Sequence, residues 1–169
     1  EGFKRDQNRL KPIELQEVGD VRGKSLLHLQ CHFGMDTLSW AKLGATVTGM
    51  DFSGPAIEQA RALSQELNIP ARFIRSNIYD LPEVLGEQFD IVFTSYGAVT
   101  WLPDLRRWAQ VAARFVKPAG FFYVAEFHPM SQVFDDAPDV DDLHVRYPYF
   151  REAGPMMFDD GVDYADRTA

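Results

Sequence analysis

Residues Leu26 to Gly34 read Leu-Leu-His-Leu-Gln-Cys-His-Phe-Gly, and Asp51 closes the apolar run that follows. An apolar strand, a tight loop with a single glycine, a helix, a second strand and a terminal carboxylate together make a nucleotide-cofactor site. The strand delivers the chain to the carboxyl edge of a parallel sheet, where loop amides and the amino end of the next helix face the ligand. A carboxylate one strand over supplies the acceptor that a ribose diol needs. Gly34 is expected to let the backbone approach a cofactor closely. Ser53 already caps the following helix, which leaves Asp51 for the ribose.

Other reactive side chains carry less. His28, Cys31 and His32 lie close together, but zinc takes four ligands, or three and a water, and His128 and His144 stand in no supporting motif. No metal site is expected. Cys31 reads as a small buried filler and His28 as a satisfied buried histidine in a strand. Tyr96 and His128 follow the fourth and fifth strands, where ligand-facing loops gather, and each is a candidate to accept or relay a proton. Trp101 is a candidate wall of the acceptor pocket. No nucleophilic triad or paired-carboxylate motif is present.

The elements that must position these residues alternate. A short helix spans 12–18, with Pro12 at its start and Gly19 at its end. A buried strand covers Ser25 to Leu29. Asp36 is placed as the cap of a helix that Gly44 stops, and Ala45 to Met50 form the second strand. A helix from Ser53 through Leu67 puts Ile57, Ala60, Leu63 and Leu67 on one face. Arg72 to Ser76 and Phe89 to Thr94 are strands three and four. Asp104 to Val116 is a helix with an apolar stripe of Leu105, Trp108, Ala112 and Phe115. Lys117-Pro118-Ala119-Gly120 reads as a turn before a fifth strand, Phe121 to Glu126. This order predicts an α/β fold, a three-layer doubly wound, mostly parallel sheet. One domain is expected: a helical lead-in (1–22), a cofactor-binding core (23–127) and an acidic, aromatic-rich acceptor or lid segment (128–169).

From about Gly23 to Phe127 the chain resembles the class I S-adenosylmethionine-dependent methyltransferases. Their first motif usually reads acid-x-Gly-x-Gly-x-Gly. Here His28-Leu29-Gln30-Cys31-His32-Phe33-Gly34 keeps only the last glycine, in a form similar to a variant of one bacterial branch. Asp51 matches the ribose-binding acid. Asn77-Ile78-Tyr79-Asp80-Leu81-Pro82 resembles the segment that meets adenine, with Asn77 as the polar contact and Ile78 as the packing residue. Phe89-Asp90-Ile91-Val92 with Thr94-Ser95-Tyr96 resembles strand four and its exit, and Lys117-Pro118-Ala119-Gly120-Phe121 the turn into strand five. The resemblance implies S-adenosyl-L-methionine as cofactor, with contacts at Leu29, Gln30, Cys31, Gly34, Asp51, Phe52, Asn77, Ile78 and Ser95. It implies methyl transfer to a small-molecule acceptor, the cofactor carrying the difficult chemistry.

Composition narrows the alternatives. The chain has 169 residues, 46% of them apolar, and a net charge of −8. Ten acids face three arginines between 129 and 169, so the core is nearly neutral and its tail acidic. No clustered Lys and Arg point to nucleic acid. No run is long enough to span a membrane, and one cysteine fits a reducing, cytoplasmic setting. An absent initial methionine and an uncovered fifth strand suggest a piece of a longer protein, lacking its last strands. Two rival readings remain. An NAD-dependent oxidoreductase would need three glycines against its pyrophosphate, which Gln30 and His32 obstruct. A non-catalytic cofactor-binding regulatory domain could use the same fold.

Overall fold

The computed structural model describes residues 8–135 and 142–150. Five strands form one sheet: β1 (Ser25–Leu29), β2 (Thr46–Asp51), β3 (Arg72–Arg75), β4 (Phe89–Ser95) and β5 (Val116–Ala125). Their order is β3-β2-β1-β4-β5, and every pairing is parallel. Leu27 lies opposite Thr48 on one side and Val92 on the other, so β1 is the central strand. The chain winds outward from β1 to β3, then crosses back to β4 and β5. That reversal leaves a crevice at the carboxyl ends of β1 and β4, where open α/β sheets hold their ligands.

Alternation along the strands builds a core on each face of the sheet. Leu26 of β1 joins Val47, Ile91, Phe93 and Trp40, with Leu10 and Val18 closing that cluster. Leu27 and Leu29 point the other way, against Trp108, Val111, Ala112 and Phe115. The helices are α1 (Pro12–Val18), α2 (Met35–Lys42), α3 (Gly54–Glu66), α4 (Leu81–Val84) and α5 (Leu105–Arg114). Trp40 of α2 is fully buried edge-on to Phe93, and truncating such a side chain costs about 3–5 kcal/mol. Ser53 and Asp104 cap α3 and α5 by accepting from the amides of Ala56 and Arg107. The three-layer architecture is the expected one.

Three local expectations are corrected. Asp36 does not cap α2; Gly34 does, in a left-handed conformation, and the Asp36 carboxylate accepts from Ser95 instead. Leu105, the first residue of α5, is 45% exposed, and Val111 joins Trp108, Ala112 and Phe115 on the buried side. Lys117 to Gly120 is no turn between elements but a bulge inside β5. Phe89 pairs with Val116 and Ile91 with Phe121, so six residues of β5 span three of β4. The bulge turns on Ala119, left-handed at φ 66°, and on Gly120, where a Cβ would lie 2.8 Å from the Asp90 carbonyl.

The bulge also places Lys117 beside Asp90 at the amino end of the sheet. One Asp90 oxygen accepts from the Ser25 amide at 2.8 Å, the Ser25 hydroxyl at 2.6 Å and Lys117 Nζ at 3.0 Å. These donors hold the carboxyl well below its usual range. β5 has β4 on one side and, among the described residues, no strand on the other. Beyond it, Pro129–Val133 form a 3₁₀ turn, and Phe134 bridges antiparallel to Val145. Phe158, an aromatic residue of the expected acceptor or lid segment, lies outside the described residues.

Candidate active site

The loop after β1 has one glycine, yet it keeps a glycine-like backbone. Gln30, His32 and Gly34 have φ of 56°, 50° and 71°, left-handed at the three alternate positions where the family's motif carries glycine. For Gln30 and His32 that conformation costs roughly 1–2 kcal/mol each. Hydrogen bonds hold it in place: the Cys31 amide donates to the Met50 carbonyl at 2.8 Å, and the His32 amide to Asp51 Oδ2 at 2.8 Å. The Gln30 side chain donates to the Ala98 carbonyl and accepts from the Trp108 indole N–H, both at 3.0 Å. The loop thus makes a left-handed turn at Gln30 and His32 without glycine there.

Asp51 ends β2, is 6% exposed and turns toward this loop. Its second oxygen accepts from the Ser53 amide at 3.0 Å. Each carboxylate oxygen retains a lone pair for a ribose hydroxyl. Phe52 beside it is 72% exposed, an apolar ring at the rim of the crevice. Gly34 answers to packing, since a Cβ there would sit 2.7 Å from the Phe73 ring and 2.9 Å from Ala60 Cβ. The glycine is demanded by the fit of the loop onto β3 and α3, without reference to a ligand.

The remaining expected contacts lie along the same edge. Leu29 is buried, and its carbonyl accepts from Thr94. Cys31 is buried among Leu38, Ile57 and Phe73; burial, with the Asp51 charge, pushes its thiol up and makes it inert. Asn77 is exposed in an Asx turn, its carboxamide oxygen accepting from the Tyr79 amide at 3.0 Å. Ile78 packs into the core with Leu81 and Met50 and offers little free surface. Ser95 ends β4 and donates to Asp36 at 3.3 Å.

Of the two proton-relay candidates, Tyr96 is not built as a base. Lys11 Nζ sits 3.5 Å above the Tyr96 ring, and burial together with the Glu14, Asp36 and Glu17 carboxylates pushes its phenol up. Tyr96 therefore stays protonated and offers a donor, not a phenolate base. His128 is exposed, and its Nδ1 accepts from the Met130 amide at 3.2 Å. His28 is buried beside Thr37, 2.8 Å away, and burial lowers it to about 3. It is a neutral structural group. Among the described residues no cluster of His, Cys, Asp and Glu could hold a metal.

Sequence reasoning missed three acids at this edge. Glu126, after β5, accepts from the amides of Gly97 and of Val99 (2.9 Å), and so fixes the loop that carries Tyr96 and Trp101. The signal that found Asp51, an acid closing an apolar strand, was present here too. Asp36 is close to Ser95, and burial raises its pKa. Glu14 of α1 is 1% exposed and also raised, chiefly by burial. Its position on a short amphipathic helix gave no sign of that.

A family model described as a methyltransferase domain matches residues 27–124, which span β1 to β5. The chain belongs to this methyltransferase family. The ubiquinone biosynthesis O-methyltransferase of Proteus mirabilis is 31% identical over 127 residues, 73% of this chain and 51% of that protein. The homologous enzyme of Photorhabdus laumondii is 29% identical over 127 residues, covering 73% and 52%. A solved S-adenosylmethionine-dependent methyltransferase from Mesorhizobium loti superposes with a TM-score of 0.62 at 23% identity, over 73% of this chain and 56% of that one. The chain spans about half the length of the curated relatives it matches.

Proposed function

We propose that this methyltransferase domain binds S-adenosylmethionine across the carboxyl ends of β2, β1 and β4 and transfers its methyl group to a small-molecule acceptor. One observation carries the reading: the left-handed loop Gln30–Gly34 is locked to Asp51 through the His32 amide. That lock presents a buried carboxylate at the edge of a crevice, as a ribose diol requires. The relatives' names, O-methyltransferases of ubiquinone biosynthesis, support a small-molecule acceptor.

The residues fit this cofactor better than a dinucleotide. Glu14 and Asp36 stand near Tyr96 and Ser95 at the end of β4, where their carboxylates would repel a diphosphate and suit a ligand without phosphate. Gln30 further fills the approach that a pyrophosphate needs. Asp51 would hold the ribose and Phe52 would cover the nucleoside, with Asn77 at the adenine edge.

When bound, the cofactor supplies a methyl group on a positively charged sulfur. The protein's part is alignment, which can contribute about 7–11 kcal/mol. Asp51 anchors one end of the reacting line. Glu126 and Gln30 hold the loop after β4, and with it Tyr96 and Trp101, at the other. Trp101, on the loop after β4, is 70% exposed and would wall the acceptor site.

Isothermal titration calorimetry with S-adenosylhomocysteine and with NAD tests the reading. Binding of the first and silence toward the second is expected. Asp51→Ala should weaken the first by about tenfold to a hundredfold, the worth of a hydrogen-bonded charge. Tight NAD binding with no response to S-adenosylhomocysteine would overturn it.

A further inference from the structure

Resting on the cofactor assignment above, we propose that Glu14 of α1 and Asp36 of α2 together receive the α-ammonium group of S-adenosylmethionine. The negative charge that the first motif lacks at His28 is in this chain carried by two helices instead.

Glu14 supplies the leading observation. Its Oε2 accepts from the Lys11 amide at 2.5 Å, but Oε1, although buried, has no hydrogen-bond partner among the described residues. A buried, unpaired carboxylate oxygen is a costly thing to keep, and its retention calls for a partner that arrives from outside. Asp36 lies within its field, and each carboxylate raises the phenol of Tyr96. Glu14 caps Lys11, whose ammonium lies over Tyr96, and Asp36 is bonded to Ser95, so both acids stand beside the start of the loop after β4.

The nearby cations act on this pair only through the field: Lys11 on both acids, with its ammonium over the Tyr96 ring, and Arg9 on Asp36. Neither acid takes part in an ion pair among the described residues. A metal ion is disfavoured by the absence of a third ligating side chain in that set. The occupant is then an organic cation, with an N–H for each oxygen.

Topology selects which cation. Asp51 ends β2 on one flank of β1, whereas Ser95, bonded to Asp36, ends β4 on the other. Two strand spacings, about 10 Å, separate these ends. A thioether nucleoside with its sugar at Asp51 and its chain laid over the tip of β1 brings its amino-acid end to Asp36 and Glu14. His28, beneath that tip, is neutral and already bonded to Thr37, so it cannot take this role.

The test compares S-adenosylhomocysteine with its deaminated analogue, in which hydrogen replaces the amino group, by calorimetry on the wild-type chain, Glu14→Gln and Asp36→Asn. Both substitutions keep a hydrogen-bond acceptor and remove the charge. Wild type should prefer the amino ligand by about tenfold to a hundredfold. Each variant should lose most of that preference while binding the analogue as wild type does. Equal affinities of wild type for the two ligands overturn the assignment without any variant. So does an equal loss of both ligands in the variants, while the cofactor reading survives either result. Failure of wild type to bind either ligand overturns both.

Discussion

The two ends of the sheet handle their carboxylates in opposite ways. At the amino end, Asp90 gathers the Ser25 amide, the Ser25 hydroxyl and Lys117, and its pKa falls. At the carboxyl end, Glu14 keeps a bare oxygen, Asp36 has a single long bond to Ser95, and the pKa of both rises. The first arrangement binds β1, β4 and β5 together. The second stores unfavourable burial that a proton, or the proposed ligand, relieves. The carboxylate that ties the strands together thus stands at one end of the sheet, and those assigned here to the ligand stand at the other.

The contrast can be broken most severely at the loop of the carboxyl end. Gly34→Ala should cost about 2–5 kcal/mol, the sum of a left-handed alanine and an overpacked contact with Phe73. Urea denaturation at neutral pH measures it, and a change below that range would mean that the loop adapts. Next in size is Asp90→Ala, expected to cost about 1–2 kcal/mol once the partial exposure of its bonds is discounted. Because the Asp90 pKa is depressed on folding, its contribution is present above the unfolded carboxylate value and fades as pH falls. The loss in the variant should therefore shrink in acid, as thermal melts over a pH series will show.

Glu14→Gln should move the other way, and by the least. Its pKa is raised on folding, so its favourable contribution exists in acid and is lost as pH rises through the raised value. The variant without ligand should match wild type in acid and gain up to about 1 kcal/mol at neutral pH. Lys11, Asp36, Tyr96 and Tyr123 share its surroundings and should be followed in the same melts. A uniform loss at every pH would show that Glu14 is a capping residue only.

Much of this was legible before any coordinates. Strands bury one side chain in two on each face, and Ser25–Leu29 and Phe89–Thr94 announce themselves by apolar continuity. Asp51 was legible because a carboxylate at the end of such a run has few structural reasons to be there. The bulge at Lys117–Gly120 was not, since a Pro-Ala-Gly sequence signals chain reversal, and only pairing with β4 shows that the strand resumes in line. Glu14 was hidden for another reason. Its burial accompanies the packing of α1 onto the sheet face of Leu26, Ile91 and Phe93, a contact between distant residues that no local pattern encodes. Leu105 misled because it is the first residue of α5, at the end of a stripe whose other members, Trp108, Ala112 and Phe115, are buried.

Gln30 has a consequence for how this loop can change. Glycine at that position would relax the backbone but strand the indole N–H of buried Trp108, a penalty of about 1–3 kcal/mol. Positions 30 and 108 are therefore locked to one another along any mutational path, and glycine becomes accessible at 30 only with a residue that has no side-chain N–H at 108. A partner 78 positions away along the chain thus holds the glutamine in place, whatever ligand the loop serves.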